Sequence, residues 1–118
     1  MTTSLSRLRS VAFTRQSGRC FYCNVPMWQR DPAELIKKHK ITVGQAKRLQ
    51  CTGEHLQARC AGGATLQTNI VAACLYCNGT RHKSKRPLSP DKYKERIRRL
   101  MNAQRWHERW VFKHGLFK

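Results

Sequence analysis

The spacing of apolar positions changes several times along the chain, and each change predicts an element. Leu5, Leu8, Ala12 and Phe13 recur at helical intervals and stop at Ser17-Gly18, which predicts an N-terminal helix packed on the rest of the protein. Residues 31–50 predict two short helices, Pro32 to Lys40 and Gln45 to Leu49, broken at Gly44, with Thr42 and Gln45 spaced as a capping box. From Cys51 the runs shorten around Gly62-Gly63, the pattern of a β-hairpin with a loop. Cys74 to Lys83 suits a helix. Ser89-Pro90-Asp91 then supplies a cap, a Pro at the first helical position and an acid in the first turn. Tyr93, Ile97, Leu100 and Met101 give the last long helix, about 90 to 104, one apolar face, and Trp106, Trp110, Phe112 and Phe117 follow in an aromatic tail.

Length and composition narrow the class. At 118 residues and 40% hydrophobic content the chain predicts one domain with a modest core, which needs an extra staple. The expected divisions are an N-terminal helix (1–19), a central part (20–82) and a basic C-terminal helix with its tail (83–118). The longest apolar run, Ile70 to Cys77, is far too short to span a bilayer, so no membrane partner is expected. The acid-free, Arg-containing start resembles a transit peptide only superficially, because the whole chain is acid-poor. No signal-peptide pattern is present, and a cytoplasmic setting is expected.

The formal charge of +18 is unevenly placed. Residues 1–30 carry five basic and no acidic groups, and 83–118 carry twelve basic and three acidic, whereas 51–82 carry two basic and one acidic. Such a field concentrates polyanions and points to nucleic acid. A ribosomal or chromatin packing protein shares the charge, but three Trp and a Cys-rich centre fit it poorly. Between Glu34 and Asp91 the only carboxylate is Glu54, directly before His55. A lone acid in a basic protein is an accident, an ion-pair partner or a metal ligand.

Cys20-Phe-Tyr-Cys23 and Cys74-Leu-Tyr-Cys77 form two CxxC knuckles, each followed by an Asn. Two thiolates three positions apart reach one ion, and two such pairs supply the tetrahedral sulfur set of a structural zinc site. Disulfides and a redox CxxC are the competing readings; the first fits poorly without a signal peptide and the second with two matched knuckles. Cys51 and Cys60 lack partners of this spacing and are expected to be buried small hydrophobes.

Glu54-His55, Gly62-Gly63, Asn69-Ile70-Val71 and Cys74-Leu-Tyr-Cys77-Asn78-Gly-Thr-Arg81, taken with the first knuckle, resemble the HNH endonucleases. The resemblance implies an α+β fold, a ββα-metal hairpin and helix stapled by a four-Cys zinc site and flanked by helices. It also implies metal-dependent phosphodiester hydrolysis. By the same resemblance His55 is the general base, Glu54 and Asn78 hold the catalytic ion, and Asn69 braces the loop and the histidine. His is common at the final position, where this chain has Asn78. His82, one helical turn beyond Asn78, is a substitute ligand.

Chemistry alone agrees. Hydrolysis of a phosphodiester needs an activated water, which a neutral imidazole can provide, and neutralisation of charge on the phosphoryl and leaving oxygens. Mg²⁺ or Mn²⁺ suits the second need, since Mg²⁺ keeps several waters and requires few protein ligands, so one acid suffices. Arg81, Lys83, Lys85, Arg86, Lys92, Arg96 and Arg99 are the expected phosphate contacts to DNA, double-stranded by preference, with Lys94 and Arg98 on the same basic helix. His39, His107 and His114 have no patterned partners and read as surface residues or incidental phosphate contacts, and the three Trp read as core anchors rather than base-stacking platforms, although an aromatic on a basic surface can stack bases. The competing function is a non-catalytic zinc-stabilised DNA- or RNA-binding module in which Glu54-His55 is inert.

Overall fold

The computed structural model describes residues 4–57 and 62–117; Cys60 lies outside them. It is an α+β fold: α1 (Leu5–Arg15), α2 (Ala33–His39), α3 (Val43–Lys47), β1 (Cys51–His55), a 3-10 turn (Gln67–Asn69), β2 (Ile70–Cys74), α4 (Leu75–His82), α5 (Pro90–Asn102) and α6 (Arg109–Lys113). Ser4, Thr42 and Ser89 cap α1, α3 and α5 through their side chains. Among the described residues no helix is long and apolar enough to cross a membrane.

β1 and β2 are antiparallel, with Cys51 opposite Cys74 and His55 opposite Ile70. β2 is buried at every position because helices cover both faces. α1 lies on one face: a Cβ added at Gly53 would meet Leu5 Cδ1 at 2.9 Å, so glycine permits this close approach. α4 lies on the other, where Asn78 Nδ2 donates to Thr52 Oγ1 at 3.0 Å. The alternation of strand side chains thus sends Thr52 and Glu54 toward α4.

The free edge of β2 is covered. Gln16, just past α1, exchanges hydrogen bonds with Ala72 (Nε2 to the carbonyl 2.8 Å, amide to Oε1 2.9 Å), and Phe21 N donates to the same carbonyl at 2.9 Å. The first knuckle is therefore built onto the sheet. Tyr93, Ile97 and Met101 bury the apolar face of α5, and Arg98 ties that helix to the knuckle by donating to the carbonyls of Tyr22 (2.6 Å) and Phe21 (3.1 Å).

The 31–50 segment departs from the sequence expectation. Gly44 does not break it but lies inside α3, because the Thr42–Gln45 capping box starts the helix at Val43; the break falls at Lys40, which adopts φ 53°. The capping pair, visible in the sequence, outweighs the glycine.

Candidate active site and metal centre

The two knuckles converge. The sulfurs of Cys20, Cys23, Cys74 and Cys77 all lie within 4.8 Å of one another, and all four residues are buried. Cys23 Sγ and Cys74 Sγ are 3.9 Å apart, against about 3.8 Å for neighbouring sulfurs around a tetrahedral Zn–S distance of about 2.3 Å. Burial opposes charge here: it pushes the thiols of Cys23 and Cys77 well up, while Cys20 is held well below the ordinary range because hydrogen bonds from the other three thiols outweigh its own burial. Burial thus opposes charge on Cys23 and Cys77, a conflict that a bound divalent cation removes. The donor set fits zinc.

Backbone N–H groups of Tyr22 and Cys74 point at Cys20 Sγ (both 3.3 Å), and that of Cys77 points at Cys74 Sγ (3.4 Å). Two tail side chains complete this shell: Trp106 Nε1 donates to Cys77 Sγ at 3.3 Å and His107 Nε2 lies 3.3 Å from Cys23 Sγ. His107 is consequently not the surface residue expected from sequence; burial brings its pKa down to about 4. No spacing in the sequence links the tail to the cysteines. His39, also taken as a surface group, is half-buried, with Nδ1 3.3 Å from the carbonyl of His114. Cys51 is buried, and burial pushes its thiol up to about 11.

Glu54, the isolated acid, is 2% exposed and fully engaged. Oε2 accepts from the Tyr22 hydroxyl (3.0 Å) and from Arg81 Nη1 (3.3 Å), and Oε1 lies 2.9 Å from His82 Nε2. Burial and the charge of Glu54 raise the Tyr22 pKa, so its hydroxyl stays a donor. Tyr22 sits between the ligands of the first knuckle, and it joins the cysteine chamber to the carboxylate. Its role was not legible, because the sequence shows only an aromatic inside CxxC.

Arg81 corrects the sequence expectation. It is buried, with Nε and Nη2 donating to the Leu88 carbonyl (3.2 and 2.9 Å) and Nη1 on Glu54, so its guanidinium is occupied inside the protein rather than offered to a phosphate. Arg98 is likewise spent on the knuckle carbonyls. Lys83, Lys85, Arg86, Lys92, Arg96 and Arg99 are exposed.

Asn78 stands on the same side of the sheet as Glu54. Its Nδ2 donates to Thr52 Oγ1, while its Oδ1 is buried with no hydrogen-bond partner among the described residues. An amide oxygen, a carboxylate and an imidazole nitrogen are donor types that a divalent ion takes, and α4 carries two of the three, Asn78 and His82. Glu54 Oε1 and His82 Nε2 are in direct hydrogen-bond contact at 2.9 Å.

His55 closes β1, and its Nε2 lies 3.2 Å from Thr65 Oγ1 in the connection to β2. Asn69 braces that connection: its Oδ1 accepts from Gln57 N (2.8 Å), and its Nδ2 donates to the carbonyls of Ala64 (2.8 Å) and Gln57 (3.1 Å). The structure thus gathers Glu54, Arg81 and His82, with Asn78 one helical turn before His82 on α4, and sets His55 and Asn69 at the loop end of the hairpin.

A family model described as HNH endonuclease matches residues 20–84. No curated protein and no solved structure matches the chain.

Proposed function

Because the chain belongs to the HNH endonuclease family, whose model covers more than half of it, we propose that it is a metal-dependent endonuclease hydrolysing DNA phosphodiester bonds. His55 is the general base, Glu54 and Asn78 hold a catalytic Mg²⁺ or Mn²⁺, His82 joins them as a third ligand, and the four cysteines hold a structural zinc. The observation that carries this reading is the buried Oδ1 of Asn78, which has no hydrogen-bond partner among the described residues and stands on the helix that also carries His82. Leaving such an acceptor unpaired costs about 1–3 kcal/mol, which a cation at that position removes.

Each residue has a task. Tyr22 and Arg81 occupy Oε2 of Glu54, which leaves Oε1, on the His82 side, for coordination. His55 Nε2 lies 3.2 Å from Thr65 Oγ1, and the proposed role is that of the tautomer that donates Nε2–H there and keeps the Nδ1 lone pair for the proton of the attacking water. Asn69 fixes the loop that carries Thr65 and so positions the base without touching substrate. A bound ion supplies positive charge for the phosphoryl oxygens and the leaving alkoxide. Lys83, Lys85, Arg86, Lys92, Arg96 and Arg99 hold the DNA backbone, while Arg81 serves as the internal clamp on Glu54.

The same Arg81 favours one second reading, a non-catalytic DNA- or RNA-binding module in which the guanidinium alone balances Glu54. Incubation of the zinc-loaded protein with supercoiled plasmid separates the two. Nicked or linear product that requires added Mg²⁺ or Mn²⁺ supports the endonuclease; a mobility shift with no cleavage under any divalent ion supports the module.

A further inference from the structure

A cavity of about 340 Å³ opens between the end of α4, the 83–89 connection and α5. Tyr93, Ile97 and Trp106 form its apolar floor, Leu88 stands at its lip 41% exposed, and Arg86 and Arg96 lie on its lining as exposed cations. Among the described residues no carboxylate lines it. Arg81 is a wall it shares with the proposed catalytic cluster: Nε and Nη2 hold the Leu88 carbonyl, while Nη1 touches Glu54 and stands 3.4 Å from His82 Nε2. An apolar slot with aromatic rings, cationic edges and no acid is complementary to an aromatic base joined to phosphate.

We infer that this cavity takes one unstacked nucleotide of the nucleic-acid substrate, its base over Leu88, Tyr93 and Trp106 and its phosphate on Arg86 and Arg96. The inference rests on the proposed endonuclease reading and adds a substrate preference to it. Unpairing and unstacking a base costs energy that a bulged nucleotide has already lost, so DNA with one extrahelical nucleotide is the favoured ligand. Ser84 belongs neither to the catalytic cluster nor to the residues proposed to hold the DNA backbone, so it can be altered independently of both.

The test measures binding of zinc-loaded protein to a perfect duplex and to the same duplex with a single bulged 2-aminopurine, by anisotropy and 2-aminopurine fluorescence without added divalent ion. Expected is about tenfold tighter binding of the bulged duplex, about 1.4 kcal/mol, with a change in 2-aminopurine emission. Ser84→Phe, which fills the cavity, abolishes the preference while keeping perfect-duplex affinity, and Arg96→Gln reduces it. Equal affinities for the two duplexes, or a preference that survives Ser84→Phe, overturn the inference, and plasmid cleavage by the same wild-type preparation then leaves the endonuclease reading standing. Absence of both DNA binding and cleavage overturns the two together.

Discussion

Tyr22→Phe removes one oxygen atom from the contact between the cysteine chamber and Glu54. The ring itself is fully buried and packs edge-on against Phe21 (centroids 5.2 Å) and Tyr93 (4.8 Å), contacts that Phe retains. What disappears is the 3.0 Å hydrogen bond to Oε2 of a buried carboxylate, a bond to a charged group worth about 1.5–3 kcal/mol. Arg81 still holds that oxygen, so a net stability loss of about 1–2 kcal/mol is expected, a fall in Tm of several degrees for a chain of this size. The larger effect is on the ion. Loss of an outer-shell partner of a metal ligand typically costs about 10–100-fold in affinity, so Mn²⁺ binding, followed by electron paramagnetic resonance of the zinc-loaded protein, should weaken by about that factor. Zinc content, read by atomic absorption, should stay at one per chain. Glu54→Gln serves as the reference and should remove Mn²⁺ binding. Mn²⁺ affinity within about twofold of wild type in Tyr22→Phe, while Glu54→Gln abolishes it, refutes the idea that the knuckle tyrosine positions the carboxylate.

Three further outcomes are expected. Stripping zinc with a strong chelator should unfold the protein, seen as loss of cooperative thermal unfolding, because the four ligands join the first knuckle to the second across the sheet; a chelated protein that melts as before contradicts a structural zinc. Arg81→Met should destabilise by about 3–5 kcal/mol in denaturant titration, since it leaves a buried carboxylate without its cation. Lys92→Ala with Arg96→Ala and Arg99→Ala, three exposed positions on α5, should lower the slope of log affinity for duplex DNA against log salt by about 2–3 while leaving α5 helical by circular dichroism.

What the sequence revealed was whatever rests on local spacing. The CxxC pairs, the hairpin, the Ser89-Pro90 start of α5 and its Tyr93, Ile97 and Met101 face each depend on residues near one another; the structure has the hairpin, and α5 ends within two residues of the expected bound. The relations it hid are tertiary. Trp106 and His107 reach sulfurs of residues far back in the chain, and Tyr22 meets Glu54 across 32 positions, with no periodicity to announce either contact. Arg81 looked like a phosphate ligand because it shares a helix with Asn78; that α4 turns it inward against Glu54 and the Leu88 carbonyl follows only from how the helix docks on the sheet. The alternation of β1, by contrast, puts Glu54 toward the helix carrying Asn78 and His82, a placement already implicit once the hairpin was recognised.

The central claim, that His55 abstracts the proton of the attacking water, is tested most directly by the single-turnover rate of plasmid cleavage in Mn²⁺ for wild type and His55→Ala, each shown to hold zinc and to bind DNA equally. Loss of a general base typically costs about 10²–10⁴-fold, and a fall of that size with unchanged DNA affinity is the predicted result. A rate within about threefold of wild type contradicts the account.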